Sequence, residues 1–449
     1  MRIAVINGSP KGENSITLQT VRYLEKLNPA HRFDVLHVGQ RIKSLEKDFS
    51  PAQEALEQAD MLLFAYPVYT FIAPSQLHRF IELMKAHGAD VAGKYAAQIT
   101  TSKHFYDVTA HRYIQDNCQD MGMKYVGGLS ADMDDLLCKK GQADAKAFFD
   151  LVVKRAEHDL YEAFPPEAQA PAHRKVTSAA DSAEKKTGDI VIVTDCRKED
   201  AQLQAMIARF RAVLPIKTRV VNIREYPFIG GCLGCFGCAT QGKCVYKDGF
   251  DEFLRSDIQR AQAIIYAFSI SDHSMGAAFK LYDDRQFCNG HRTVTMGMPM
   301  GYLVSGNYSQ EMNLRMIIEG RAQVGGNFLA GVATDEHDPD REIDQLAKML
   351  VYALEHAYAP PQNFYGVGGM KIFRDLIWIM QGMMKADHRF YKAHGQYDFP
   401  QKQWKTMLKM QLVGLLISSP KVKGKMGDAM TNGMLAPYRK VLDSIKAEE

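Results

Sequence analysis

The sequence has almost no charge bias: 55 Lys and Arg stand against 52 Asp and Glu in 449 residues, a formal net charge of +3. A general nucleic-acid binder is thereby excluded, because displacing counterions from phosphates needs a basic surface. With 34 glycines and 17 prolines, ordinary counts, and an aromatic content of 10% that supports a real core, the disordered, collagen-like and coiled-coil readings fall away. Long hydrophobic runs are also missing. The most apolar stretch near the C-terminus, around 407–417, includes Lys409, Gln411 and Gly414 and is too short to cross about 30 Å of hydrocarbon. Met1-Arg2-Ile3-Ala4-Val5-Ile6 enters a strand pattern without a basic n-region or cleavage site. The expectation is a soluble, cytoplasmic protein of two or three domains.

What is present is self-similarity. Residues Arg2–Leu27 and Asp189–Leu214 share one plan of apolar strand, polar turn and amphipathic helix, and Ala59–Glu82 matches Ala261–Asp284 in the same way. Residues 95–129 and 300–333 repeat a third time, at offsets of roughly 190 to 205 residues, so the repeating unit is a whole domain. Within each copy, short apolar runs alternate with helical periodicity, the pattern of an α/β, doubly wound parallel sheet covered on both faces. The expected organisation is a first domain over 1–164, a Pro-, Ala- and charge-rich linker over 165–187, a second domain over 188–360 and a helical extension over 361–449. That extension carries 14 Lys and Arg against 7 Asp and Glu, and nine of the 23 methionines. It reads as helices packing on the double domain, with a basic surface for an acidic partner or a membrane face as the alternative. Its segment 386–395 has no assigned role.

After the first strand comes Asn7-Gly8-Ser9-Pro10-Lys11-Gly12-Glu13-Asn14-Ser15-Ile16-Thr17, then a helix. Such a turn presents backbone N–H groups and a positive dipole end to an anion, with Ser9, Ser15 and Thr17 as hydroxyl donors and Lys11 as a charge. A plain N-cap on Asn14 or Ser15 is the competing reading. The loop matches neither a Walker A sequence nor the GxGxxG fingerprint.

These residues resemble the phosphate-binding loop of flavodoxin-like NAD(P)H-dependent FMN reductases and iron-sulfur flavoproteins, whose pattern is close to G-S-P-(K/R)-x-x-N-S-x-T. Ala65-Tyr66-Pro67-Val68-Tyr69-Thr70-Phe71 resembles the family's loop around the isoalloxazine ring, and Thr100-Thr101-Ser102-Lys103-His104 stands where the family closes over it. The resemblance implies two tandem flavodoxin-like domains and an FMN-dependent oxidoreductase. It further implies an FMN held by Ser9, Lys11, Asn14, Ser15, Ile16, Thr17, Pro67, Val68, Tyr69, Thr70, Phe71, Thr101 and Ser102. In the second copy the corresponding turn is Thr194-Asp195-Cys196-Arg197-Lys198-Glu199-Asp200, acidic and without glycine, so one FMN per chain is expected.

Of eight cysteines, Cys232, Cys235, Cys238 and Cys244 crowd one glycine-rich loop in the spacing C-x2-C-x2-C-x5-C. Four thiolates from so short a loop suit a 4Fe-4S cluster; zinc, free thiols or a disulfide remain open. The motif is similar to the compact cysteine motif of iron-sulfur flavoproteins. Cys118, Cys138, Cys196 and Cys288 read as ordinary buried residues.

The function expected is electron transfer between a nicotinamide such as NAD(P)H, or a protein carrier such as ferredoxin, and FMN and the cluster. The alternatives are an NAD(P)H-dependent quinone or flavin reductase without a cluster, and a non-catalytic electron carrier or binding module. The two copies are expected to pack as an internal pseudo-dimer that brings the cysteine loop to the flavin, with homo-oligomer formation left open. His273 and Lys103 read as solvated loop residues, with proton donation as the alternative.

Overall fold

Five apolar runs in each half of the chain form strands in the computed structural model, which describes residues 1–165, 173–181, 186–417 and 435–436. The first half contains β1 (Arg2–Asn7), β2 (Arg32–Leu36), β3 (Met61–Pro67), β4 (Tyr95–Ser102) and β5 (Lys124–Asp132). The second contains β6 (Lys186–Thr194), β7 (Ile216–Asn222), β8 (Ala263–Ser269), β9 (Pro299–Ser305) and β10 (Phe328–Thr334). All pairings between these strands are parallel, in the orders β2-β1-β3-β4-β5 and β7-β6-β8-β9-β10. The same doubly wound topology thus occurs twice, in the flavodoxin-like order.

Strand alternation sets the layers. Ile3 and Val5 of β1 pack with Leu18, Val21 and Leu24 of the helix Ile16–Leu27, forming one outer core, and Ile190 and Ile192 of β6 pack with Leu203, Met206 and Phe210 in the other. Their alternates Ala4, Ile6, Val191 and Val193 face a single central core that both halves share. Because that core is continuous, the halves meet as a domain interior does.

The meeting surface is two-fold in its chemistry. The helix Ser75–Ala86 of the first half packs on its counterpart Gly276–Arg285 of the second. Asp284 Oδ2 accepts from the Ser75 backbone N–H (2.7 Å), and Glu82 Oε1 accepts from the Ala277 N–H (2.8 Å). Each helix N-terminus is therefore closed by a carboxylate from the other half, where the exposed N–H groups and dipole favour negative charge. The preceding turns repeat as well. Tyr69–Ile72 and Ser271–Ser274 each close through a pair of backbone hydrogen bonds, with Thr70 (φ 41°), Phe71 (φ 76°), Asp272 (φ 50°) and His273 (φ 62°) in the left-handed region. Non-glycine residues hold that conformation only when their surroundings enforce it.

His273 shows the enforcement. Its Nε2 lies 3.0 Å from Asp120 and its Nδ1 3.0 Å from Glu311, while Lys85 reaches Asp272 at 2.9 Å. Burial alone would lower the imidazole pKa, but Asp120 and Glu311 outweigh it and raise it to about 10. The folded protein binds this proton more tightly than the unfolded chain, so the stabilisation is complete below pH ~6.5 and disappears as pH rises towards 10. His273→Asn, a residue that tolerates positive φ, is expected to flatten the fall in urea midpoint between pH 7 and 10. An unchanged slope would remove His273 as its source.

The described part of the linker, residues 173–181, contains no helix or strand and lies along the second half: the Arg174 N–H donates to Asp335 O (2.7 Å) and the Thr177 N–H to Asp340 Oδ1 (3.0 Å). Linker residues 166–172 and 182–185 lie outside the described residues, and β6 begins at Lys186, inside the stretch expected as linker. Residues Met1–Phe390 form one compact unit and Tyr391–Glu449 a second. The first part of the expected extension, residues 361–390 with the helix Phe364–Ile379, thus belongs to the unit of the two sheets. In the second unit the helix Trp404–Ile417 exposes Trp404, Met407, Leu408, Leu412 and Leu415; residues 418–434 and 437–449 of the extension lie outside the described residues. No described helix is long and apolar enough to cross a membrane.

Candidate functional site

The loop after β1 is shaped by its own side chains. Asn7 Nδ2 donates to Gly12 O (2.9 Å), Asn7 Oδ1 accepts from the Ser9 N–H (3.2 Å), and Ser9 Oγ accepts from the Lys11 N–H (3.3 Å). Ser15 caps the helix Ile16–Leu27 by accepting from the Leu18 N–H at 3.4 Å. The first-turn N–H groups of Ile16 and Thr17 have no acceptor within the helix. The loop backbone rests on Gly39, where a Cβ would fall on the Gly8 carbonyl.

A cavity of about 400 Å³ opens here, at the carboxyl ends of the strands of the first sheet. Ser9, Lys11, Ser15, Ile16 and Thr17 line one end; Pro67, Val68, Tyr69, Thr70, Phe71, Thr101 and Ser102 line the next stretch. Of the residues expected around a flavin, Asn14 alone is not on this wall; it is exposed at the end of a short 3-10 turn. The arrangement suits a phosphorylated, flat ligand: a helix N-terminus with hydroxyls and one lysine at one end, apolar side chains and strained backbone at the other. Thr101 Oγ1 is buried and has no hydrogen-bond partner among the described residues, an acceptor and donor left for such a ligand.

The second half supplies the opposite wall. Cys232, Cys235, Cys238 and Cys244 all line the same cavity. A Cβ on Gly234, between them, would meet the Tyr69 hydroxyl and stand 3.5 Å from Lys11 Cε. Gln76 Nε2 donates to Cys232 O (3.3 Å) across the halves. The cysteine loop and the loop of Tyr69 therefore border one space, the juxtaposition expected of an internal pseudo-dimer. Burial pushes the Cys232 thiol well up and that of Cys238 to about 11, and Arg285 Nη2 approaches Cys244 Sγ at 3.9 Å. Four sulfur donors on one wall suit a sulfur-ligated metal in kind. In their positions here, however, no three His, Cys, Asp or Glu side chains among the described residues are gathered to hold one ion.

Other expectations resolve in detail. Cys118, Cys196 and Cys288 are buried, but Cys138 is exposed and accepts from the Gly141 N–H at a helix start. Cys288, without any motif spacing to mark it, also lines the cavity. Lys103 lines the cavity yet is held by Asp132 (2.7 Å) and Asp134 (3.0 Å), and His273 is ion-paired between the halves, away from the cavity wall. In the degenerate turn of the second half, Asp195 is buried and paired with Arg224 at 3.0 Å; burial, opposed by Arg224, raises its pKa to about 6. An internal ion pair thus stands where the first half has its open loop.

Arg285, Arg321 and Arg292 add positive charge to the second wall, each already matched: Arg285 forks onto Asp248 (2.8 Å), Arg321 meets Asp283 (2.8 Å), and Arg292 meets Asp387 (2.8 Å). Sequence reasoning missed these residues and the contributions of Phe287, Phe373 and Leu376, because they are scattered over a chain that only folding brings together.

Residues 1–133 match the family described as NADPH-dependent FMN reductase. An iron-sulfur flavoprotein of Archaeoglobus fulgidus is 26% identical over 178 residues, covering 37% of this chain and 80% of that protein. Among solved structures, an NADH:FMN oxidoreductase in its apo form aligns with 22% identity and a TM-score of 0.31 over 37% of this chain and 96% of its own. The general stress protein 14 of Treponema denticola in complex with FMN aligns with 13% identity and a TM-score of 0.29 over 34% and 98%. Residues 1–133, with their glycine- and hydroxyl-rich loop and parallel sheet, are thus the part of the chain that resembles the NADPH-dependent FMN reductase family.

Proposed function

We propose that the protein binds one FMN per chain in the first half and uses it to carry electrons from NAD(P)H to an acceptor in the cavity between the halves. The observation that carries this reading is the single cavity running from the Ser9–Thr17 loop, past Pro67–Phe71 and Thr101–Ser102, to the wall of the second half. Lys11, Ser15, Thr17 and the first-turn N–H groups bind the phosphate. Thr70 and Phe71, fixed at positive φ, present their backbone to the ring, while Phe71 and Phe105 exclude water. FMN, when bound, supplies a carrier that exchanges electrons in pairs or singly.

The finer part of the proposal is that Cys232, Cys235, Cys238 and Cys244 ligate a 4Fe-4S cluster. It is supported by the C-x2-C-x2-C-x5-C spacing, by the shared cavity wall and by the name of the Archaeoglobus relative. The ungathered thiols favour the second reading, a quinone or flavin reductase in which these residues remain thiols. Protein or small-molecule electron partners and contact of the basic tail with a membrane face belong to the same proposal.

Anaerobic purification with flavin, iron and absorbance analysis tests both parts. The expectation is about one FMN and four irons per chain, with iron lost and FMN kept in Cys235→Ala. FMN without iron selects the second reading, and a protein without flavin overturns the function. Within the flavin reading, Lys11→Ala is expected to weaken FMN binding about 10- to 100-fold, the range for one charge-assisted phosphate contact. Equilibrium dialysis that gives the wild-type constant would remove Lys11 from the phosphate site.

A further inference from the structure

The helix Phe364–Ile379 lies beyond the family match, yet two of its side chains, Phe373 and Leu376, line the cavity. The reason is local. Gly366, Gly369, Phe373 and Leu376 recur at helical spacing and share a face. The two glycines let the helix come close: a Cβ at Gly366 would stand 2.6 Å from Gln323 O, and one at Gly369 would stand 2.6 Å from Phe105 Cε2 and 2.7 Å from Val324 Cγ2. The next residues on that face then project past Phe105 into the open space.

Both ends of this segment are fastened. At its start Gln362 Nε2 donates to Gln323 O (2.7 Å), the Asn363 N–H donates to Gln323 Oε1 (2.7 Å), and Asn363 Nδ2 donates to Glu319 Oε1 (2.8 Å). Beyond its end Asp387, fully buried, accepts from the His291 N–H (3.1 Å) and from Arg292 Nη1 (2.8 Å) and so secures the adjoining rim of the cavity. This is fixed wall, built like a core.

An aromatic row runs along it. Phe71, in the turn proposed to face the flavin ring, lies 4.9 Å from Phe105; Phe105 lies 4.5 Å from Phe373, and Phe373 4.9 Å from His291, centroid to centroid. A flat acceptor placed against the Phe71 side of the cavity therefore meets the Phe373 ring at its outer edge.

We infer that Phe373, with Leu376 behind it, is the specificity-determining wall of the acceptor subsite and limits the size of the flat conjugated acceptors it takes. This rests on the oxidoreductase reading above and deepens it. The helix Phe364–Ile379 thus acts as a size gauge from outside residues 1–133, the stretch that matches the family.

The test uses the full-length, flavin-loaded protein with 1,4-benzoquinone and 1,4-naphthoquinone as acceptors, together with calorimetric dissociation constants for phenol and 2-naphthol, which need no turnover. Phe373→Ala is expected to raise the two-ring to one-ring ratio of kcat/KM about tenfold and to shift the ratio of dissociation constants the same way, with Phe373→Trp moving both in the opposite direction. Leu376→Ala, a milder change, should move both ratios as Phe373→Ala does and stands in if that variant does not fold. Unchanged ratios in variants that keep their flavin overturn the inference and leave the oxidoreductase reading intact. A wild-type protein that takes up no FMN overturns that reading, and the inference with it.

Discussion

Replacing Lys280 by Met is expected to cost the protein about 3–5 kcal/mol of stability and to loosen its hold on flavin, because the substitution breaks a buried charge set by removing one partner. Lys280 and Asp284 are both 0% exposed and in contact. The ammonium also lies 3.2 Å from Asp283, donates to Tyr69 O (3.0 Å) and touches Thr70 Oγ1. Burial already pushes the Asp284 carboxyl above its usual range, with Lys280 the main opposing influence. Without the lysine, a carboxylate that also accepts from Ser75 N–H and Thr70 Oγ1 is left uncompensated, whereas Asp283 keeps Arg321. The double variant Lys280→Met/Asp284→Asn should recover part of the loss, a coupling readable from urea midpoints. Loss confined to either single change, with no recovery in the double, would mean the pair acts through packing.

Gly39→Ala is the second change with a large expected effect. The added methyl would fall on the Gly8 carbonyl and crowd Ser9, and backbone cannot swing aside as a side chain does. Overpacking of this kind costs about 1–3 kcal/mol; here it also displaces the phosphate-type loop, so flavin content after gel filtration should fall below about a tenth of the wild-type value. Gly368→Ala is the control. Beyond its own helix backbone no atom of the described residues lies within 4 Å of its Cβ position, and the helix should gain about 0.5–1 kcal/mol. Full flavin retention in Gly39→Ala would show that the loop can move without consequence.

The sheets and the repeat were legible because β1 and β6 carry unbroken apolar runs of four or more residues, a signal that tertiary context does not alter. The loop Gly8–Thr17 was legible as the turn that starts a helix, since glycine, hydroxyl and amide residues gather at such starts, and Ser15 is its cap. The turns at Thr70–Phe71 and Asp272–His273 were not. Their positive φ values come from Lys280, Asp284, Asp120 and Glu311, all distant in sequence. Cys288 and Phe373 were equally silent, since nothing local separates a cavity wall from an ordinary core position. Asp387 explains part of the unassigned segment 386–395: a lone acid in a basic stretch is the residue that holds His291 and Arg292.

The reciprocal closure of Ser75 by Asp284 and of Ala277 by Glu82 has a consequence for synthesis. At a ribosomal rate of about 5–20 residues per second, the first half waits on the order of ten seconds or more for the groups that complete it. During that interval its share of the central core, from Ala4 to Tyr125, lacks the residues that the second half contributes. A nascent chain of this protein therefore exposes apolar surface until translation passes Val324, the last residue of that core, and cutting the gene between the sheets would make that exposed state permanent.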